Sequence, residues 1–413
     1  MLYACLLLYL VFIYVRPAEI VLGWETIPFV DILTGASFAI GLIAVAAKPR
    51  RFLNLPQDKL LLAFWAAIAI SSAKVWLTGI YVSWLAFTPP VFLYFLVRIA
   101  VQNPRQMRGV VYLLVALNVF LAINGIVQYN TGIGLGNVTT TLDRIYGTGI
   151  FNDPNDLGMT FVMVIPFVAL LMTNPNSGIL QKLLATGALI VILTATYYTN
   201  SRGALLGLGA AMTCYWFLKS RSVSTIVFAL GLGLLVLVAG PSRASEINAT
   251  EESAQGRIQA WAQGWMMLKS NPLTGVGYDQ FTEYHPQVAH NSFVHTFSEV
   301  GLIGAFCFVG MFYWFFKILA VPKGATDDWA PWLRALSASG TGVVVCMWFL
   351  SRQYVPVVYG LLALGATAAA QRERSADLPA PRTSLRDVIN IGAILLGGIV
   401  LVYLSIRVLA IWG

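Results

Sequence analysis

Long apolar runs separated by short polar breaks set the pattern of this chain. The runs fall at roughly 2–15, 27–47, 60–77, 82–101, 109–128, 157–173, 183–200, 203–218, 223–240, 296–316, 333–351, 354–370 and 388–410. A bilayer core needs about 20 apolar residues per helix, and only helices or closed barrels satisfy their backbone polar groups in lipid. The pattern therefore predicts an all-α polytopic membrane protein with about 12–13 transmembrane helices. The first run is short, and the pair around Ser351-Arg352-Gln353 can be divided in more than one way. Read this way, 1–413 is one integral membrane domain with an outer loop at 129–156 and a larger one at 241–295.

Composition supports the pattern. Hydrophobic residues make up 58% of the chain and charged residues 11%, whereas soluble domains carry about 25% charge. A mean hydropathy of +0.74 excludes a soluble enzyme, a disordered chain and a small secreted scaffold. The net charge of +8 reports topology rather than nucleic acid, because the basic residues sit between apolar blocks. Cys5, Cys214, Cys307 and Cys346 lie in apolar runs without CxxC spacing, so neither zinc nor a disulfide framework is expected. The run from Leu2 lacks a basic leader and an A-x-A site, and reads as a first membrane helix.

Basic residues also give orientation. The connections after every second run, with their flanks, hold 17 of the 26 Lys and Arg. The opposite side holds Arg16, Lys74, Arg144, Arg202, Arg243, Arg257, Lys269, Arg352 and Arg407. The excess marks the cytoplasmic side, so both long loops are expected to face outward.

Chemistry gathers in those outer loops, where long connections are seldom idle. All three histidines, His285, His290 and His295, lie in HPQVAHNSFVH. A spacing of five does not put them on one helical face, and no HExxH is present, so no metal site is expected from this stretch. Upstream, Ile258, Trp261, Trp265 and Leu268 share a helical face. They predict an amphipathic helix over about 255–270, capped by Ser253 and ended by Asn271-Pro272 and Gly275. That helix either lies at the membrane interface or packs on the bundle. Arg257 falls in its expected first turn, where a cation is unfavourable unless it and the helix dipole together meet an anion. Arg202, in TNSRGALLGL at the outer boundary, is either a snorkelling anchor or a phosphate partner. Asp153, Asp156, Asp279, Glu283 and Glu299 are acids near the same face and compete with histidine for a general-base role, with Asp153-Pro154-Asn155 alternatively read as turn chemistry.

At these residues the chain resembles the O-antigen ligase and polymerase superfamily of bacterial membrane glycosyltransferases. The resemblance rests on FNDPNDLGM (151–159), NSRGALLGL (200–208), GR-x3-W-x3-W with NPLTGVG (256–277), and AHNSFVHTFSEVGLIG (289–304), in that order. It covers roughly 150–310, and the N-terminal third matches in hydropathy alone. The resemblance implies an inner-membrane enzyme with its site facing the periplasm. It implies transfer of a glycan from undecaprenyl diphosphate to an acceptor hydroxyl, without a nucleotide sugar or other cofactor. By position, the family's essential arginines resemble Arg202 and Arg257, and its essential histidine resembles His290.

On that reading, Arg202 and Arg257 clamp the departing diphosphate, replacing a divalent metal, and His290 is the general base. Neighbouring arginines should keep His290 neutral. Supporting roles are open for Asn291 (orienting His290 or capping a helix), Tyr278 (stacking on a sugar or filling a groove), Asp153, Asn155, and Glu299 (most simply a structural ion pair). The acceptor is a lipid-A core or similar for a ligase, or another lipid-linked repeat for a polymerase. A transporter of lipid-linked sugars is the rival from another class, but transporters place ionisable groups near the midplane and show repeats, and neither is seen here.

Overall fold

The computed structural model describes residues 1–413 except 22, 25, 48–52, 74–76, 141–142, 176, 221, 223, 225–246, 323–326, 376–380 and 410–413. At 30–31, 42–47, 77, 247–254 and 409 the backbone alone is described. The helices in chain order are α1 (Leu2–Val15), α2 (Pro17–Ile20), α3 (Phe29–Ala47), α4 (Pro56–Ser72) and α5 (Leu77–Ala100). Next come α6 (Pro104–Thr131), α7 (Pro154–Thr173), α8 (Ile179–Tyr198), α9 (Arg202–Ser220) and α10 (Ile247–Ser270). The last are α11 (Phe281–Tyr284), α12 (Ser292–Ile318), α13 (Ala330–Met347), α14 (Pro356–Ser375) and α15 (Leu385–Leu409). Among the described residues there is no strand, only an isolated bridge between Ile133 and Thr139. The protein is an all-α, multi-pass membrane protein.

Twelve of the expected runs coincide with helices α1, α3–α9 and α12–α15, and the run 223–240 lies almost wholly outside the described residues. Among the described residues, seven helical stretches are by themselves long and apolar enough to cross a bilayer: Leu2–Ile20, Thr78–Ala100, Pro104–Thr131, Pro154–Thr173, Ile179–Tyr198, Ser292–Ile318 and Leu385–Val408. The less apolar α13 and α14 are largely interior, and α9 packs its small-residue face, Ala204, Gly207 and Ala211, against α13. An interior helix faces other helices rather than lipid, so small residues that allow close approach replace bulk hydrophobicity. Gly207 shows this: a Cβ there would sit 2.9 Å from the Gly342 carbonyl oxygen. At the centre stands α7, buried continuously from Asp156 to Leu171 and packed on α8, α9 and α13.

Local chemistry sets the helix starts. Proline opens α2, α4, α6, α7 and α14, where its missing N–H is not needed. Side chains of Asn103, Asp153 and Asn291 cap α6, α7 and α12. Two features depart from the sequence reading. The loop helix α10 starts at Ile247, not near 255, so Arg257 lies roughly three turns inside it and owes nothing to an N-terminal dipole. And α12 is not a smooth rod: Gly301 breaks it at φ 66°, ψ −168°.

That break docks the loop. Pro272 and Leu273 carbonyls accept from the amides of Leu302 (2.8 Å) and Ile303 (3.2 Å). The amides of Val276 and Gly277 donate to the carbonyls of Ser298 (3.0 Å) and Glu299 (2.9 Å). Groups that a helix break would leave bare in lipid are thereby satisfied.

Candidate functional site

The connections α6–α7, α8–α9, α10–α12 and α13–α14 meet at one end of the bundle. The Ile145 amide donates to the Tyr198 carbonyl (3.2 Å), and Arg144 donates through Nε to the Thr199 carbonyl (2.9 Å) and through Nη2 to Asn155 Oδ1 (3.0 Å). At the other end, Arg98, Lys317 and Arg372 pair with Asp58, Asp387 and Asp327.

His290 is placed by bonds on both sides of it. The Trp261 indole of α10 donates to the Ala289 carbonyl at 2.8 Å. Asn291 Oδ1 accepts from the amides of Phe293 (3.0 Å) and Val294 (3.1 Å), starting α12. Between these anchors His290 adopts a left-handed φ of 47°, a conformation a non-glycine residue holds only when its surroundings enforce it. Arg257 precedes Trp261 by four residues on α10, hence by one turn on the same face. The Trp261–Ala289 bond thus draws Arg257 toward His290.

Arg202 opens α9 and is exposed. Ser201 Oγ accepts from the Ala204 amide (3.2 Å), and Asn200 takes a left-handed φ of 50°. The charges of Arg202 and Arg257 act on each other. Burial first, and Arg202 second, push the Arg257 guanidinium below its ordinary pKa. Among the described residues neither arginine forms an ion pair.

His290 is partly buried, and its pKa is lowered from the usual histidine value of 6.5. Burial is the first cause and Arg257 the second; Asp153 opposes them, and Arg352 and His295 add to the lowering. Neighbouring arginines therefore contribute as the sequence suggested, but loss of water contributes more. The neutral imidazole is favoured, which is the form a general base needs.

The other expected residues divide by what they touch. Asp153 Oδ1 accepts from the Asn155 amide (2.7 Å), an Asx turn capping α7, and its charge also faces His290. Asn155 ties that turn to Arg144. Asn291 is a helix cap. Glu299 is fully buried and pairs with no arginine: it accepts from His295 Nε2 (3.0 Å), the Phe281 amide (3.0 Å) and the Tyr354 hydroxyl (2.9 Å). Tyr278 packs on Tyr354 with ring centroids 4.6 Å apart. His285 bonds locally, its Nδ1 accepting from the Gln287 amide at 3.2 Å. Trp261 meets Trp348 and Trp265 meets Tyr403, so the amphipathic face of α10 packs on the bundle.

Sequence reasoning missed Arg352 as a neighbour of His290. It pairs with Asp156 of α7, and the polar Ser351-Arg352-Gln353 break between two apolar runs was the available signal. Among the described residues no three His, Cys, Asp or Glu side chains gather as metal ligands.

No curated protein matches the chain. The family described as O-antigen ligase matches residues 187–309. The matched stretch holds Arg202, Arg257, Tyr278, His290, Asn291 and Glu299, and leaves out Asp153, Asn155, Asp156 and Arg352. It supports a glycosyltransferase-like activity of the ligase or polymerase type on lipid-linked glycans. The match to the O-antigen ligase family over residues 187–309 of this multi-pass membrane chain supports its relationship to the O-antigen ligase and polymerase superfamily.

Proposed function

We propose that the protein is an O-antigen ligase-like glycosyltransferase of the bacterial inner membrane. It moves a glycan from undecaprenyl diphosphate to an acceptor hydroxyl, on a lipid-A core or a similar glycan, at the periplasmic face. The observation that supports this reading is the position of Arg257: its helix is bonded to the His290 stretch through Trp261 and Ala289, and its charge acts on His290 as that of Arg202 acts on it.

Each side chain has a role that its surroundings favour. Arg202 and Arg257 present guanidinium forks that match phosphate oxygens two at a time. Their mutual repulsion falls when a diphosphate lies between them, and the stabilisation grows as the leaving group gains charge. The acceptor hydroxyl attacks the anomeric carbon while its proton passes to His290. The bond from that carbon to the diphosphate oxygen breaks, and the electron pair leaves with the lipid diphosphate. One direct displacement inverts the anomeric configuration. An apolar cavity of about 300 Å³ between α12, α13 and α15, lined at its site end by Phe293 and Trp348, offers room for an isoprenoid segment.

The test is incubation of purified protein with lipid-linked donor, with and without a lipid-A-core acceptor, followed by mass analysis. Glycan joined to the core supports the ligase reading. A lengthened lipid-linked glycan in the absence of core assigns a polymerase instead. Donor that changes leaflet without a new glycosidic bond overturns both in favour of transport.

A further inference from the structure

We propose that Arg352 is a positioning residue of this site: its side chain on Asp156 and its backbone on Ser292 clamp the α13–α14 connection between α7 and the start of α12, and so hold His290. The inference rests on His290 being the base, but its geometry stands apart from that role, and both clamping residues on α7 and the 350–354 loop lie outside the matched ligase stretch.

The links are continuous. Arg352 Nε donates to Asp156 Oδ1, in the first turn of α7. Arg352 Nη1 donates to the Ser351 carbonyl (3.2 Å), which sets the fork's direction. The Arg352 amide donates to Ser292 Oγ (2.9 Å), and that hydroxyl donates to the Leu350 carbonyl (2.6 Å). Ser292 is fully buried and follows His290 by two residues, across the capping Asn291. Beside the Asn291 cap and the Trp261–Ala289 bond, this clamp supplies a further, non-local restraint on the left-handed His290.

Arg352 also contributes charge. The groups whose charges act on His290 are Arg257, Asp153, Arg352 and His295. Asp156 keeps Arg352 protonated and in place without sitting among them. Loss of the Arg352 cation should raise the His290 pKa, since a like charge disfavours the imidazolium. Loss of Asp156 removes the tether but keeps the cation.

With only three histidines in the chain, His290 can be titrated directly by NMR in ring-labelled protein, assigned through His285→Gln and His295→Gln. The variants are Arg352→Gln, Arg352→Lys, Asp156→Asn and the double variant Asp156→Asn/Arg352→Gln, which avoids an uncompensated buried carboxylate. In Arg352→Gln and the double variant the His290 midpoint should rise, with turnover down at least tenfold. In Arg352→Lys and Asp156→Asn turnover should fall with no rise in the midpoint. A His290 midpoint that stays at the wild-type value in both Gln-bearing proteins, while they remain folded and monodisperse, overturns the proposal. Wild-type turnover in Asp156→Asn, which keeps the cation and loses the tether, also overturns the clamp, whereas a midpoint that rises while the pH dependence of turnover stays fixed removes His290 as base, so the two failures are distinct.

Discussion

Gly301→Ala tests whether the break in α12 is required by the residue that makes it. The φ of 66° and ψ of −168° belong to a region that only glycine occupies comfortably. An L side chain forced there costs roughly 1–3 kcal/mol. A Cβ on Gly301 would also press into the Leu273 carbonyl group and lie 2.5 Å from the Gly275 amide nitrogen, which is backbone and cannot rotate away. Overpacking of this kind adds roughly 1–3 kcal/mol. The sum is about 4 kcal/mol, a large share of the roughly 5–15 kcal/mol that holds a typical domain folded. Because the strain falls on the strip that carries Glu299, the variant should also loosen His295 and Tyr354 and reduce turnover. Gly397 on α15 is the control: it is helical and exposed, with nothing within 4 Å of an added Cβ. There alanine should be neutral or stabilising by up to about 1 kcal/mol. Thermal unfolding in detergent, read beside glycan transfer, compares the two. If Gly301→Ala unfolds at the wild-type temperature and keeps full turnover, the account of the break is wrong.

Four further outcomes are expected. Arg202→Ala and Arg257→Ala should each lower turnover by about 10²–10³-fold while the protein still reaches the membrane; single-turnover assays with lipid-linked donor check this, and retained activity in either removes that arginine from the clamp. Turnover should fall on the acid side with a midpoint below the usual histidine value of 6.5, because the base is lost as pH drops through a lowered pKa; a limb above that value contradicts the site's electrostatics. Asn291→Ala should destabilise by about 1 kcal/mol and Asn291→Asp much less, since the carboxylate keeps the cap; equal losses in chemical or thermal unfolding would point to another role. Transfer should persist in EDTA, and full inhibition reversed by a divalent metal would return the acidic residues as metal ligands.

The spans were legible because lipid imposes one strong rule, roughly 20 apolar residues per crossing, and the helices start at Pro, Asn and Asp where local chemistry says they should. The residues proposed for the site drew notice in the sequence because three short stretches carry unusual residues: the only histidines, Arg202 at a span boundary, and Arg257 beside the tryptophans of the loop helix. The beginning of α10 was not. The stretch ATEESAQG has no apolar period, but Ala, Glu and Gln are good helix formers and extend the helix upstream of Gly256. The break at Gly301 was hidden inside SEVGLIG, an apolar run that reads as continuous helix; what bends it is a turn docking from 272–277, a contact between segments far apart along the helix path. Arg352 was hidden for a similar reason. Its partner Asp156 lies on α7, and no local pattern joins the two.

Four main-chain hydrogen bonds clasp the 272–277 turn to α12. Such bonds are indifferent to side-chain identity wherever glycine is not demanded. Exposed positions of the loop that follows, such as Thr282, Glu283 and Tyr284, and the outward surface of α10 are thus free to vary in sequence without altering the span that separates Arg257 from His290, while Tyr278, Phe281 and Ala289 are held by packing. Evolution can repaint that surface while the distance between the two residues beneath it is kept.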